Sequence, residues 1–390
     1  MRTLVSTIGD YEMRKNKVAL SLSPLGLLTL AACGGGGGSS GVASSGSSSS
    51  SSSGITVNGK VQKGPLSDAF VFLDYNGNEL YDDGSGANAM EPSVRSDANG
   101  DFSLTATQEN FSIIATTDQT TVDTSSGVVL DGVTLKAPLA SSMLTPATTL
   151  MEEGNLTASQ VVQVLGLPDT IDPLTFDAFA DGVDTNQALA VEKASHQIMT
   201  VINAFAAAAE GAGASQADSF EVALDSVVQV MKLRVESNLT INLTDTEDLA
   251  DIKTQVTTGV ASVANVDAIA FGAMADDTTT AIMNVNVKIN AVTDIGTVVA
   301  KNIFSTAQVL NVQVKNGVAA EVTAVGTGTI NFIEASEVEA AATNLAPTDI
   351  TITLPSLAII SNPEISEDAG SLLVGTLGAV DEDQAAGVAH

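Results

Sequence analysis

The sequence predicts an α+β chain of several domains, with a β-sandwich ahead of an Ala-rich helical domain. Three observations predict this. Short alternating apolar runs, broken by Gly, Asn and Asp, occupy residues 55–118. From about residue 146 the apolar spacing changes to three and four residues, the period of a helix. A Gly/Ser stretch over residues 34–54 has nothing to bury and sets the folded part apart from what precedes it.

Residues 1–32 read as a secretory signal. Arg14, Lys15 and Lys17 form a basic patch, and VALSLSPLGLLTLAA follows as a short apolar segment. A spanning helix needs about 20 apolar residues, so this segment is too short to be one. Met13 is a candidate start, since MRKNKVALSLS opens a signal of ordinary length. Leu30-Ala31-Ala32-Cys33 resembles the lipobox of bacterial lipoproteins. That resemblance implies acylation of Cys33, which becomes the mature N-terminus, and Gly34 in place of Asp implies sorting to the outer membrane. An ordinary signal peptide with an incidental cysteine is the plainer alternative. Cys33 is the only cysteine, which excludes a disulfide framework. Each buried CH2 of an acyl chain contributes about 0.8 kcal/mol, so several chains on one residue anchor firmly. The flexible linker over residues 33–54 reaches about 25 Å from such an anchor.

The chain carries 46 acids against 15 bases, a formal net charge of −31. That argues against nucleic acid or an anionic membrane surface as a partner and favours divalent cations. An acid-rich proteome of a salt-loving organism gives the same charge without any partner. Trp is absent and aromatics are few, which weighs against a sugar-stacking surface.

The first strands read ITVNGKV, AFVFLDY, DFSLTA and FSIIATT, and the sandwich extends over residues 55–145. Between the second and third lies Asp74-Tyr-Asn76-Gly-Asn78-Glu-Leu80-Tyr-Asp82. Oxygen-bearing side chains fall at positions 1, 3, 5 and 9, and Leu80 at position 7 offers its carbonyl. Calcium takes about six to eight hard oxygens in flexible geometry, which this spacing suits. The competing reading is an Asn/Gly turn with no metal. The second acidic stretch, Asp97-Ala-Asn99-Gly-Asp101, reads as a type I′ turn.

Gly59-Lys60-Val61, Gly64-Pro65-Leu66, Ala69 to Asp74, Glu91-Pro92 and Asp97 to Phe102 together resemble a prealbumin-like or carboxypeptidase-regulatory-like sandwich. The nearest likeness is to the calcium-binding B-type repeats of bacterial surface adhesins. The resemblance covers residues 55–118 and implies that Glu91 closes a calcium shell. The insertion GSGANAM stands between Asp83 and Glu91, a departure from the family's pattern.

The segment LKAPLASSMLTPATTLMEEG resembles the one that leads from such sandwiches into a helical region, read here as residues 146–335. Thr157-x-x-Gln160 is a capping box ahead of VVQVLGL, and Pro168 is expected to end that helix. Apolar spacing predicts helices over Thr185 to Gly211, Gln216 to Glu236 and Thr246 to about Val263, the first two joined as a hairpin. Ser305-x-x-Gln308 reads as a second capping box. Ile282 to Ile289 alternates like a strand among helical neighbours. His196 has Glu192 and Lys193 one turn before it and no nucleophile in its sequence neighbourhood. It reads as a packed or surface histidine. Met143, Met151, Met199 and Met231 read as core filler.

Residues 336–390 carry Asn344-Leu-Ala346-Pro347-Thr-Asp349, Ile365-Ser-Glu367-Asp368, Val374-Gly375-Thr376 and Asp381-Glu-Asp383. These pieces resemble, in order, the first half of a cadherin-like repeat, a partial β-sandwich in which Glu367, Asp381 and Asp383 match calcium ligands. The remainder of such a repeat would lie beyond His390, so the chain reads as the beginning of a longer protein. An Ala/Pro-rich linker with incidental acids is the alternative.

Outside the Gly/Ser linker no GxSxG, HExxH, phosphate-binding or dinucleotide-binding motif occurs, and no enzyme is expected. The reading is a lipid-anchored cell-surface stalk or adhesin segment, stiffened by calcium, with a cell-surface protein or polysaccharide as partner. The alternative is a spacer in a modular secreted carbohydrate-active enzyme.

Overall fold

A computed structural model describes residues 54–330 and two short strands further on. A β-sandwich-like region comes first and a helical part follows. Strand β1 (Ile55–Val61) pairs antiparallel with β5 (Asp101–Ala106), from Ile55 opposite Ala106 to Lys60 opposite Asp101. On its other side it pairs parallel with β10 (Met143–Leu144). A four-stranded sheet runs β4 (Ser93–Arg95), β3 (Phe70–Asp74), β6 (Ser112–Thr116), β9 (Thr134–Ala137). Strands β2 (Leu66–Ser67), β7 (Val122–Asp123) and β8 (Val128–Val129) form a third, small sheet. The pair β11 (Ala358–Ile359) and β12 (Leu377–Gly378) is antiparallel.

The strands follow the period of two. In β5, Phe102, Leu104 and Ala106 point inward and the residues between them are exposed. Strands β3 and β6 are buried on both faces. Val71, Leu73, Ile113 and Ala115 join the main core, while Phe72, Ile114 and Lys136 form a cross-strand row on the other face. The outer side of β9 is covered at Lys136, whose N–H donates to Thr149 Oγ1 at 2.9 Å, while the Thr149 hydroxyl donates to the Thr145 carbonyl at 2.8 Å.

Seven helices follow in the described residues: α1 (Pro146–Gly154), α2 (Ala158–Val164), α3 (Thr185–Gly211), α4 (Gln216–Glu236), α5 (Thr246–Val260), α6 (Ala268–Ala291) and α7 (Val298–Thr323). Each has a Ser, Thr or Asp N-cap whose side chain accepts a backbone N–H of the first turn. The capping box Thr157–Gln160 is present as expected. Helix α3 is central and packs against α4, α6 and α7, with Ala206 to Ala209 buried along it. Met143, Met151, Met199 and Met231 are all buried. One apolar core runs without a break from Val71 and Leu135 in the sandwich, through Leu150 and Phe205, to Phe271 and Phe304.

Four local expectations need correction. Helix α2 stops before Pro168: Gly166, at φ 63°, donates to the Gln163 carbonyl and Leu167 donates to that of Val162, a Schellman ending. Ser305 is no cap. Helix α7 starts seven residues earlier, where Thr297 Oγ1 accepts from the Ala300 N–H, and Ser305 Oγ bonds the Asn302 carbonyl inside the helix. Ile282 to Ile289 is helical, since Ile282, Val285, Asn286 and Ile289 bury one face of α6. The turn at residues 97–101 is not type I′, which requires positive φ at Asn99 and Gly100. Only Gly100 has it, at 81°. Asp97 Oδ1 accepts from the Asn99 and Asp101 N–H groups and so fixes the turn from its first residue.

Candidate functional site

The acidic loop joins β3 to β4 and is built on two buried carboxylates. Asp74 closes β3. The N–H groups of Asn76 and Gly77 donate to its Oδ1 at 3.1 and 2.7 Å, and that of Glu79 donates to Oδ2 at 2.9 Å. The curl continues as the Asn78 N–H donates to Asn76 Oδ1 and the Leu80 N–H to Asn78 Oδ1, each at 2.9 Å. Glu91 is fully buried and accepts from the Tyr75 N–H at 2.9 Å and the Asp82 N–H at 3.0 Å, so it ties the start of the loop to its end.

The insertion between Asp83 and Glu91 does not displace Glu91. It arches outward, exposes Met90, and returns Asn88 to within 3.0 Å of both Asp82 oxygens. The amides of Asn76 and Asn78 also donate to Asp82, at 2.6 and 3.3 Å. Leu80 is 68 % exposed, which leaves its side chain no packing role. The loop thus collects Asp74, Asn76, Asn78, Leu80, Asp82 and Glu91.

The donor set suits a hard cation. Every side-chain ligand is a carboxylate or amide oxygen, and each oxygen that accepts one N–H keeps a further lone pair. Among the described residues, no group of three or more Asp, Glu, His or Cys side chains is drawn together closely enough to hold an ion. Asp82 faces amide N–H donors instead. A cation entering here would exchange those donors for itself by turning the Asn76 and Asn78 amides. Cys33, Glu367, Asp381 and Asp383 lie outside the described residues.

The loop is wired to the helices. Glu79, at φ 65°, reaches Lys136 Nζ at 2.7 Å, and the same ammonium pairs with Glu153 of α1. Burial opposes the Lys136 charge, but Glu153 and Glu79 outweigh it and raise its pKa. Nearby on α4, desolvation and the carboxylates of Glu153 and Glu221 push Asp225 up to about 6.

A second polar cluster lies where the sandwich meets α3. Lys63, from the turn after β1, pairs with Asp123 of β7 at 2.8 Å, and both are buried. Asp123 Oδ1 also accepts from the N–H and hydroxyl of Ser125 and from the Ser126 N–H. Burial raises the Asp123 carboxyl, yet the Lys63 ammonium, with these bonds, holds it below the usual carboxylate range. Glu192 Oε2 accepts from the Gly64 N–H at 3.4 Å, while Oε1 lies 2.9 Å from His196 Nε2. The His196 ring stacks on Phe304 of α7, centroids 3.8 Å apart.

Glu192 was legible as a partner of His196 from its spacing of four residues. The competing lysine is not a partner: Lys193 Nζ donates to the Asn290 carbonyl at 2.7 Å. No nucleophile was expected beside His196, yet the fold brings Ser125 Oγ to 3.4 Å from Nε2 across 71 positions. A hydrolytic relay needs the acid on Nδ1 and the hydroxyl on Nε2. Here both face Nε2, so the relay is not assembled. Lys63, Asp123 and Ser125 had no local signal linking them to His196.

No protein-family model, curated protein or solved structure matches this chain. Among the described residues, no helix is long and apolar enough to cross a membrane.

Proposed function

We propose that the chain is a stalk segment held at the outer membrane through a lipid on Cys33, non-enzymatic, in which calcium stiffens the acidic loop of a prealbumin-like sandwich. One observation carries this reading. Asp74, Asn76, Asn78, Asp82 and Glu91 are gathered into one curled loop, though an insertion separates the last two. Asp74, Asp82 and Glu91 give one loop three carboxylates, and a divalent cation taken up there would offset their charge while cross-linking the loop. The link from Glu79 through Lys136 to Glu153 gives the ion a route to stiffen the joint with α1. In this reading Glu367, Asp381 and Asp383 belong to a cadherin-like half-repeat that takes calcium as well. The partner at the far end is a cell-surface protein or polysaccharide.

The test is isothermal titration of the full chain with Ca2+ up to millimolar concentration, alongside thermal melting. Calcium at about 100 times its dissociation constant adds about 2.7 kcal/mol to stability and raises the melting temperature. Asp82→Asn is expected to lose part of the titration heat without unfolding the sandwich. Absence of both heat and a melting shift overturns the proposal.

A further inference from the structure

We propose that His196 is an acid-released latch: its neutral ring holds helix α3 against the β1–β2 turn and the β7–β8 turn, and uptake of one proton loosens that joint. The inference is independent of calcium and starts from the ring's two nitrogens. Nε2 lies 2.9 Å from the Glu192 carboxylate, so the single proton of the neutral ring sits there. Nδ1 is buried and has no hydrogen-bond partner among the described residues. A second proton goes to Nδ1, where no acceptor waits and where the stacked Phe304 ring covers one face. A buried N–H without an acceptor, on a ring that has just become a cation, is costly.

The charges around the ring set the sign. Burial and the Lys63 ammonium lower the His196 pKa, while Glu192 and Asp123 pull it back up, and the lowering wins. From α7 the ring meets Phe304 rather than a charge, and Lys301, one turn earlier, lies against Gly127. The protonated ring therefore prefers an open joint in which Nδ1 reaches water. An exposed histidine titrates near 6.5, so the closed joint holds its full advantage above that pH. It loses that advantage as pH falls below 6.5 and levels off beneath the lowered value. With one proton taken up on opening, the open fraction rises about tenfold per pH unit inside that window.

The joint is what the proton acts on. The Gly64 N–H donates to Glu192 at 3.4 Å and the Ser125 hydroxyl lies 3.4 Å from His196 Nε2, so both sandwich turns meet the same cluster on α3. At neutral pH sandwich and helices move as one body. In acid the turns detach while the helices keep their own backbone bonds.

The chain has only two histidines, His196 and His390, so heteronuclear NMR of the full protein resolves both. His196 is expected to stay neutral with its proton on Nε2 until well below the ordinary value of about 6.5. Amide exchange at Gly64, the backbone donor that crosses to α3, corrected for its intrinsic pH dependence, is expected to accelerate about tenfold per unit below pH 6.5 with helical circular dichroism retained. In His196→Gln the same amide shows no such step. If His196 titrates near 6.5, or if wild-type exchange at Gly64 is flat from pH 7 to 5, the latch is refuted, and neither result depends on how the variant folds.

Discussion

The acidic loop and the buried latch solve one problem in opposite ways. Both must hold more carboxylates than cations. The loop does so locally: Asp74 and Asp82 lie within nine residues, with backbone N–H groups turned to Asp74 and the Asn76, Asn78 and Asn88 amides turned to Asp82. The latch does so at long range: Lys63, Asp123, Glu192 and His196 come from three separate stretches and sit out of water. The difference teaches where each is sensitive. The loop keeps lone pairs that an entering ion can use. The latch changes its charge when His196 takes up a proton.

The sharpest way to break the comparison is Lys63→Met. It leaves Asp123 buried without its cation, and loss of one partner of a buried pair costs about 3–5 kcal/mol. Denaturant unfolding measures it, and a loss below 1 kcal/mol would show that backbone donors alone hold Asp123, which makes the latch like the loop. Next in size is Glu91→Gln. The amide still accepts from one of the Tyr75 and Asp82 N–H groups but not both, and a charged hydrogen bond contributes about 1.5–3 kcal/mol. The same variant is expected to weaken calcium uptake, read by titration. Stability lost with uptake unchanged would assign Glu91 to loop closure alone. The smallest effect is Thr157→Ala at the start of α2, about 1 kcal/mol from the lost cap. Its melting shift is expected to be the same at pH 7 and pH 5, which sets a baseline for a structural contact that neither ion nor proton touches.

Legibility follows the same division. Helices α3 and α4 announced themselves because their apolar faces repeat every turn, and the Thr157–Gln160 box because its two bonds span three residues. The acidic loop was readable for the same reason: its ligands are sequence neighbours. Ser305-x-x-Gln308 misled because a four-residue motif is blind to context, and the buried face of α7 begins upstream, with Ala300 and Ile303 already buried. Ile282 to Ile289 stayed open because Asn284, Val285, Asn286 and Val287 alternate polar and apolar among helical neighbours. The Asp97 turn depended on which residue takes the positive φ, and Asn-Gly allows two answers. The latch was illegible because its parts stand 60 to 128 positions apart, and only the packing of α3 on the sandwich turns brings them together. Of its members, only the Glu192–His196 pair lies one helical turn apart.

Thr149 has an effect beyond its own two bonds. By occupying the open side of β9 with a side chain from α1, it takes up the Lys136 N–H that a strand from another molecule would need. Copies crowded side by side therefore meet a helix where they would otherwise find a sheet to extend, and growth into a shared ladder is blocked at that flank.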